Sequence, residues 1–247
     1  MATKKERQRQ LARQAYERRL ERQAVHARRV KQWWAGAIAV ILVLGVGTGV
    51  AAAAGTFSPT KPLTCSYIAS GKAARKVSLP PKQPDASATY TAKITTNRGV
   101  INLNLLNSQA PCTVNSFVSL ANQKYFNNTP CHRLTTSGIY VLQCGDPTGT
   151  GTGGPGYKFD DENLKGAKYT PGTVAMANSG KNTNGSQFFL VYKNSPLGAN
   201  YTPFATITSG LNVIQDIAKV GSDNSNGTGD GHPKEKVQIE SVTISKT

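Results

Sequence analysis

Three kinds of signal are missing from this 247-residue chain, and each absence removes a class of activity. Residues 149–156 read Gly-Thr-Gly-Thr-Gly-Gly-Pro-Gly but lack the Gly-Lys-Ser/Thr ending of a phosphate loop, so they are read as a loop at a sheet rim. The histidines number three, and neither Cys131-His132 nor the lone His232 has the spacing of metal ligands. Residues 223–231 alternate Asp, Asn, Ser and Gly in the manner of a calcium loop without the glutamate such loops need at position twelve. Negative charge is scarce, with 13 acidic against 29 basic residues. Residues 1–31 alone hold eleven Lys/Arg against three Glu, a balance of +8 out of the total +16. The excess is therefore half a tail property, and no nucleic-acid partner is expected from it. That tail, without Gly or Pro, reads as a basic helix lying near anionic headgroups.

Charge is absent altogether from residues 35–54, a run of twenty. At about 1.5 Å per residue such a run spans about 30 Å, the thickness of a bilayer's hydrocarbon core. Trp33 and Trp34 stand at its start, where amphipathic rings favour the headgroup level, and the basic flank precedes it. The positive-inside rule then gives a single-pass anchor in the cell membrane with a cytoplasmic N-terminus and the remainder outside. A cleaved signal peptide is the competing reading, and residues 51–55 are small enough for a peptidase. Both the charged region and the apolar run exceed the usual length of such signals. The expected organisation is a basic cytoplasmic segment (1–32), a transmembrane helix (33–55), a linker (56–88) and a folded domain (89–247). The linker expectation rests on Pro59, Pro62, Pro80, Pro81 and Pro84, which forbid regular elements over much of it.

All four cysteines, Cys65, Cys112, Cys131 and Cys144, follow the apolar run. An even count beyond a membrane suggests two disulfides, with three pairings open, against a competing reading of some free buried thiols. Cys65 could tie the linker to the domain. Strand parity argues against Cys131–Cys144: if Arg133 and Gln143 face one groove, Cys131 shares that face and Cys144 points away, unless a bulge intervenes.

Within 89–247, Tyr90, Ala92 and Ile94 alternate with polar residues, Asn97-Arg98-Gly99 makes a turn, and Ile101, Leu103 and Leu105 alternate again, the pattern of a hairpin. Pro111 opens a helical stripe of Val114, Phe117, Val118 and Ala121. Leu211, Ile214, Ile217 and Ala218 make a second. Short β-like runs fill 139–143, 174–177, 188–191, 204–207 and 237–244. Many short strands and two helices imply an all-β barrel or sandwich.

The stretch 176–189, Met-Ala-Asn-Ser-Gly-Lys-Asn-Thr-Asn-Gly-Ser-Gln-Phe-Phe, has no acid, no thiol and no catalytic base. Small and amide residues followed by Gln187 and two phenylalanines suit a groove that grips a peptide backbone and one apolar ring. Alternation puts Phe188 and Phe189 on opposite faces, Phe188 in the core. Upstream stand Cys131-His132-Arg133 and Gln143-Cys144-Gly145-Asp146. In this order, over roughly 89–246, these blocks resemble the cyclophilins, the peptidyl-prolyl cis/trans isomerases. The resemblance implies an eight-stranded antiparallel barrel capped by two helices, here preceded by the transmembrane helix. It implies rotation about X-Pro bonds of proline-containing polypeptides, with no cofactor and no metal, and on the outer face a role in folding exported proteins. A module of the same fold that binds Pro-segments without turnover, as chaperone or scaffold, is the alternative.

By the same resemblance Arg133 is the catalytic residue, holding the substrate proline's carbonyl. Tyr140 and Val141 match an aromatic–methionine pair, and Phe189, Leu197 and Tyr201 complete the ring pocket. Gln143, Asn178 and Gln187 hold the substrate backbone, flanked by Ala177 and Ser179. The chain departs from the pattern in four places. The segment between Arg133 and Gln143 is about two residues longer. Tyr201 stands where many members have histidine, Cys131 where they have phenylalanine, and Pro196 where many have the tryptophan that contacts cyclosporin. Weak cyclosporin binding is expected. Asp160-Asp161-Glu162 is read as a solvated turn.

Overall fold

The computed structural model describes residues 63–247. The expected basic segment and transmembrane helix lie outside the described residues; among these, no helix is long and apolar enough to cross a membrane. In chain order the elements are β1 (Ile68–Ala69), β2 (Tyr90–Thr96), β3 (Gly99–Leu105), α1 (Pro111–Asn122), β4 (Thr129–Pro130), β5 (Arg133–Thr135), β6 (Val141–Cys144) and β7 (Tyr157–Lys158). Then come β8 (Thr173–Met176), β9 (Phe188–Val191), β10 (Pro203–Ser209), α2 (Leu211–Val220), β11 (Asp230–Gly231) and β12 (Gln238–Lys246).

Alternation fixes the first hairpin. Ala92, Ile94, Ile101, Leu103 and Leu105 all turn inward, and Thr96 pairs with Gly99, leaving a two-residue turn of Asn97-Arg98. The main sheet is antiparallel and curled, in the order β11-β5-β6-β9-β8-β10-β3-β2-β12-β4. That is ten strands where eight were expected. The surplus is the pair at the two edges, β11 and β4, each two residues long. No ladder closes β5 onto β12. The chain itself makes the seam, since β4 lies on β12 and only Cys131-His132 separates it from β5.

That seam overturns the parity argument against a Cys131–Cys144 bridge, because the disulfide is present. Arg133 does pair with Gln143. Cys131, however, has left the β5 ladder and donates its N–H to Val237 O (3.0 Å), so alternation counted back from Arg133 does not reach it. Both sulfur-bearing side chains are buried. The second disulfide is Cys65–Cys112.

It belongs to a strap, residues 63–88, which packs on the domain where a free spacer was expected. β1 pairs with β7, and Cys65 N–H donates to Lys82 O. The Arg75 guanidinium donates to the carbonyls of Lys124, Tyr125 and Asn127 (3.1, 2.9 and 2.8 Å). Pro80, Pro81 and Pro84 exclude regular elements around themselves; they exclude neither the two-residue ladder upstream nor docking by side chains and single backbone bonds.

The helices stop the openings of the curl. α1 buries Val114, Phe117, Leu120 and Ala121; α2 buries Ile214 and Ile217. The N-cap of α1, Ala110, makes no side-chain capping bond, and Glu162, 50 residues beyond Cys112, supplies the cap. Its carboxylate accepts from the N–H groups of Cys112 (3.1 Å) and Thr113 (2.7 Å), where a negative charge also meets the helix dipole. The expected solvated turn is thus a structural joint. Asp161 is another: its oxygens accept from Asn182 N–H and Asn184 Nδ2 (both 2.8 Å), pinning the 177–187 loop.

Candidate active site

Register alone sets the first row of the site. Arg133 of β5 sits opposite Gln143 of β6, Gln143 opposite Phe189 of β9, and Phe189 opposite Ala175 of β8. Cross-strand partners share a face, so four neighbouring strands present a cation, an amide, an aromatic ring and a methyl in line. The opposite face of β9 carries Phe188 into the main core, as alternation required.

Beside that row lies a cavity of about 120 Å³, lined by Arg133, Ile139, Val141, Gln143, Ala177, Asn178, Phe189, Leu197 and Tyr201. Eight of the eleven candidate residues are therefore brought together here. Tyr140 is not: residues 139, 141 and 143 share the cavity side, so Tyr140 points away, edge-on to Tyr192 (centroids 6.0 Å) with Lys193 Nζ over its ring at 4.4 Å. Ile139 takes the wall position instead. Gln187 and Ser179 lie next door, on a larger cavity that also touches Gln143, Ala177 and Asn178.

The apolar walls are fixed by a small cluster of Val141, Tyr169, Ala175, Phe189 and Val191. Tyr201 stands edge-on to Phe189, centroids 5.5 Å apart. Its place is set by the Tyr169 hydroxyl, which donates to Tyr201 O (2.7 Å) and accepts from Tyr201 N–H (3.0 Å). Burial raises the pKa of Tyr169, so this hydroxyl stays protonated at neutral pH.

A polar relay crosses the floor. Arg133 donates through Nε to Asp230 Oδ1 (2.8 Å) and through Nη2 to Asp230 Oδ2 (2.6 Å), a fork-on-fork pair. Nη1 is left toward Gln143 Oε1 at 3.4 Å, too long to hold it firmly. Gln143 Nε2 donates to Gln187 Oε1 (2.9 Å), and Gln187 Nε2 to the carbonyls of Gly151 and Gly153 (2.9 and 3.0 Å). That loop is organised by Asp146, whose Oδ2 accepts from the N–H groups of Gly151 and Gly153 (2.8 and 3.0 Å). Burial would push Asp146 up; bonds from Thr148, Gly153 and Gly151 outweigh it and hold the carboxyl below its ordinary value. The Asp230 partner lifts Arg133 above the usual arginine range, and the same pair lowers Asp230. Burial lowers the pKa of His132, which sits beside the seam.

Asn178 donates through Nδ2 to Asn200 O (2.8 Å) and accepts at Oδ1 from Gly180 N–H (3.2 Å), so the loop holding it is braced on both sides. Sequence reasoning missed Asp230, Asp146 and Ile139. Asp230 lies 97 residues from Arg133, and no local pattern links the two.

The slot, lined by the Arg133 guanidinium and the amides of Gln143 and Asn178 around apolar walls, suits one small apolar ring of an extended chain. Comparison makes the class specific. The family model described as "Cyclophilin type peptidyl-prolyl cis-trans isomerase/CLD" matches residues 91–244, and the chain belongs to that family. It is 50% identical over 208 residues to the probable peptidyl-prolyl cis-trans isomerase B of Mycobacterium leprae, covering 76% of this chain and 70% of that protein. With the protein of the same name from Mycobacterium tuberculosis H37Rv it shares 47% over 207 residues, 76% of this chain and 67% of the other. Among solved structures, a Cryptosporidium parvum cyclophilin-type isomerase superposes with TM-score 0.58 at 34% identity, covering 64% of this chain and 99% of that one. The same protein solved in the presence of the dipeptide Ala-Pro gives 0.57 at 34% identity, with the same coverage.

Proposed function

We propose that the chain is a peptidyl-prolyl cis/trans isomerase, tethered to the membrane by residues 35–54, that acts on X-Pro bonds of exported polypeptides. The single observation that carries the activity is the Arg133–Gln143–Phe189 row beside an unfilled ring-sized cavity. Family membership and the isomerase names of the relatives support it. The Ala-Pro dipeptide of the Cryptosporidium structure supports a proline ligand for the slot.

The barrier to be lowered is about 18–20 kcal/mol, set by delocalisation of the imide nitrogen's lone pair into the carbonyl. No bond is made or broken. Arg133 keeps its charge at every physiological pH and needs no activation. With Nε and Nη2 bound to Asp230, Nη1 is the group left to donate to the proline's carbonyl and favour the twisted state. One hydrogen bond to a charged group contributes about 1.5–3 kcal/mol, whereas a 10⁵-fold acceleration needs about 7 kcal/mol. The remainder falls to desolvation of the imide between Phe189, Val141 and Tyr201 and to positioning by Gln143 and Asn178.

The deciding measurement is isomerisation of an Ala-Pro peptide by wild type and Arg133→Ala. The expected loss is roughly 10- to 150-fold in kcat/KM, the fold-change equivalent of that hydrogen bond. Equal rates for both proteins and for buffer would leave only the non-catalytic binding module. Two disulfides in the described domain support an oxidising, extracytoplasmic location. Thiol- and protease-accessibility mapping on intact cells tests that topology. Weak cyclosporin binding follows from exposed Pro196 beside Leu197, and nanomolar inhibition would refute it.

A further inference from the structure

A further cavity shares only Arg133 and Gln143 with the ring slot. It measures about 220 Å³, and the rest of its lining is His132, the glycine loop at 149–151, Asn226 and His232. Spacing along the chain hides this meeting of two histidines, because the seam carries one imidazole and the 223–232 loop the other. His132 is 7% exposed, and among the described residues neither of its ring nitrogens has a hydrogen-bond partner. A buried polar group left unpaired costs free energy, so this ring calls for an occupant. A Cβ built on Gly151 would lie 3.5 Å from His132 Cδ2 and 3.6 Å from Nε2. Glycine at that place, with φ at +81°, leaves this edge of the ring uncovered.

His232 is oriented from behind. Its Nδ1 lies 3.0 Å from Asp223 Oδ2 and 3.1 Å from Ser225 Oγ. A carboxylate only accepts, so Nδ1 carries the proton and the neutral ring keeps its lone pair on Nε2. Carboxylate–imidazole pairs of this kind fix the tautomer of metal ligands. The charges nearby favour a cation. Arg133 is met by Asp230, which leaves Asp223 behind one ring and Asp146 acting on the other. Burial is the largest influence on His132 and lowers its pKa, which favours the deprotonated ring that a metal ion requires. Asn226 donates through Nδ2 to Asp230 Oδ1 (3.2 Å), so its oxygen is the part of that side chain left for an ion or its water.

The geometry points to a two-imidazole site, His132 with His232, for a borderline divalent transition-metal ion such as Zn²⁺, whose binding slows the isomerase through Arg133. Among the described residues no three His, Cys, Asp or Glu side chains gather around one point, so water completes the shell. A volume of about 220 Å³ holds the ion and several waters at about 30 Å³ each. Imidazole suits Zn²⁺, Cu²⁺ and Ni²⁺, whereas Mg²⁺ takes oxygen ligands. Arg133 lines this cavity and the ring slot alike. A dication beside it repels the guanidinium and competes for Asp230, loosening the fork that leaves Nη1 for the substrate. The binding stands by itself; the slowing rests on the isomerase reading of the slot.

The test is calorimetric titration of the full-length, tag-free chain with Zn²⁺ in wild type, His132→Gln and His232→Gln, beside isomerisation of an Ala-Pro peptide over the same range. The expected result is saturable binding in wild type, unaffected by millimolar Mg²⁺. Each substitution weakens it at least tenfold, no less than the loss of an outer-shell partner costs. The wild-type rate falls with the same midpoint as binding and returns on adding a chelator, each variant being scored against its own metal-free rate. His232 is exposed, so its variant keeps the test open if the buried His132→Gln chain fails to fold. Absence of saturable Zn²⁺ binding overturns the site. Binding undiminished in both folded variants places the ion elsewhere, His26 included, and overturns it equally. Weakening in one folded variant with the other unchanged reduces the site to a lone imidazole and overturns the pair. Saturation that leaves kcat/KM within twofold overturns the coupling to Arg133. A chain that binds Zn²⁺ through both histidines and turns over no peptide overturns the isomerase reading and leaves the metal site standing.

Discussion

The two faces of β9 differ by one residue in sequence and by their whole surroundings. Phe188 faces a filled interior, with the rings of Phe117, Phe126 and Phe204 at 5.6, 5.7 and 6.4 Å between centroids. Phe189 belongs to a cluster of five buried residues with an open cavity at its side. One face is packed down to a void of about 10 Å³, and the other opens on a cavity of about 120 Å³. The lesson is that an apolar ring marks a core or a site only by what has been left out beside it.

Substitutions at the two rings break the comparison most sharply. Phe188→Ala is expected to lower unfolding free energy by about 3–5 kcal/mol, read in urea, with residual folded protein still binding Pro-peptides. Phe189→Ala should lie at or below the bottom of that range, because its void opens to water, yet cost at least tenfold in kcat/KM. Equal stability losses would show that the two faces are packed alike. The disulfides give the next effect. On loop length alone, losing Cys65–Cys112 (separation 47) removes about 4 kcal/mol and losing Cys131–Cys144 (separation 13) about 3 kcal/mol. Cys65→Ser is therefore the more destabilising, and Cys144→Ser the more damaging to turnover, since Cys144 adjoins Gln143. Reversal of either order in melts or assays would contradict this.

Asp230→Asn is smaller in stability and sharper in function. The pair it breaks is about a third exposed, so less than about 1 kcal/mol is expected in the fold. Turnover should drop several-fold because Arg133 loses its fixed fork, while KM for the peptide changes less. Acid titration is the mildest test. His132, lowered by burial, takes up protons more readily when unfolded, so stability declines as pH falls below about 6.5. Asp230, lowered by Arg133, contributes above the ordinary carboxylate pKa of about 3.9 and loses that contribution as pH falls through its depressed value. His132→Gln should flatten the first limb of a melting-temperature profile and leave the second.

What was readable in the sequence was what depends on neighbours. The hairpin at 90–105, both helices and the opposite faces of Phe188 and Phe189 follow from alternation and spacing within a few residues. Parity failed at Cys131 because the chain changes strands there, and composition cannot show a seam. The strap was illegible for a related reason. Its hold on the domain comes from Arg75 on three distant carbonyls, a disulfide and single N–H bonds, none of which has a period. Tyr140 was misplaced by one register step, and Ile139 stands where the ring was expected. Asp230 lay inside a loop judged only as a failed calcium motif, so its role as the arginine's counter-ion went unseen.

Cys65 has a mechanical meaning as well. It is covalently fastened to Cys112, at the first turn of α1. Tension applied to the chain ahead of it is delivered to a helix packed against the curled sheet and bypasses the two-residue β1, whose few hydrogen bonds would otherwise peel. The strap that follows Cys65 is spared that load.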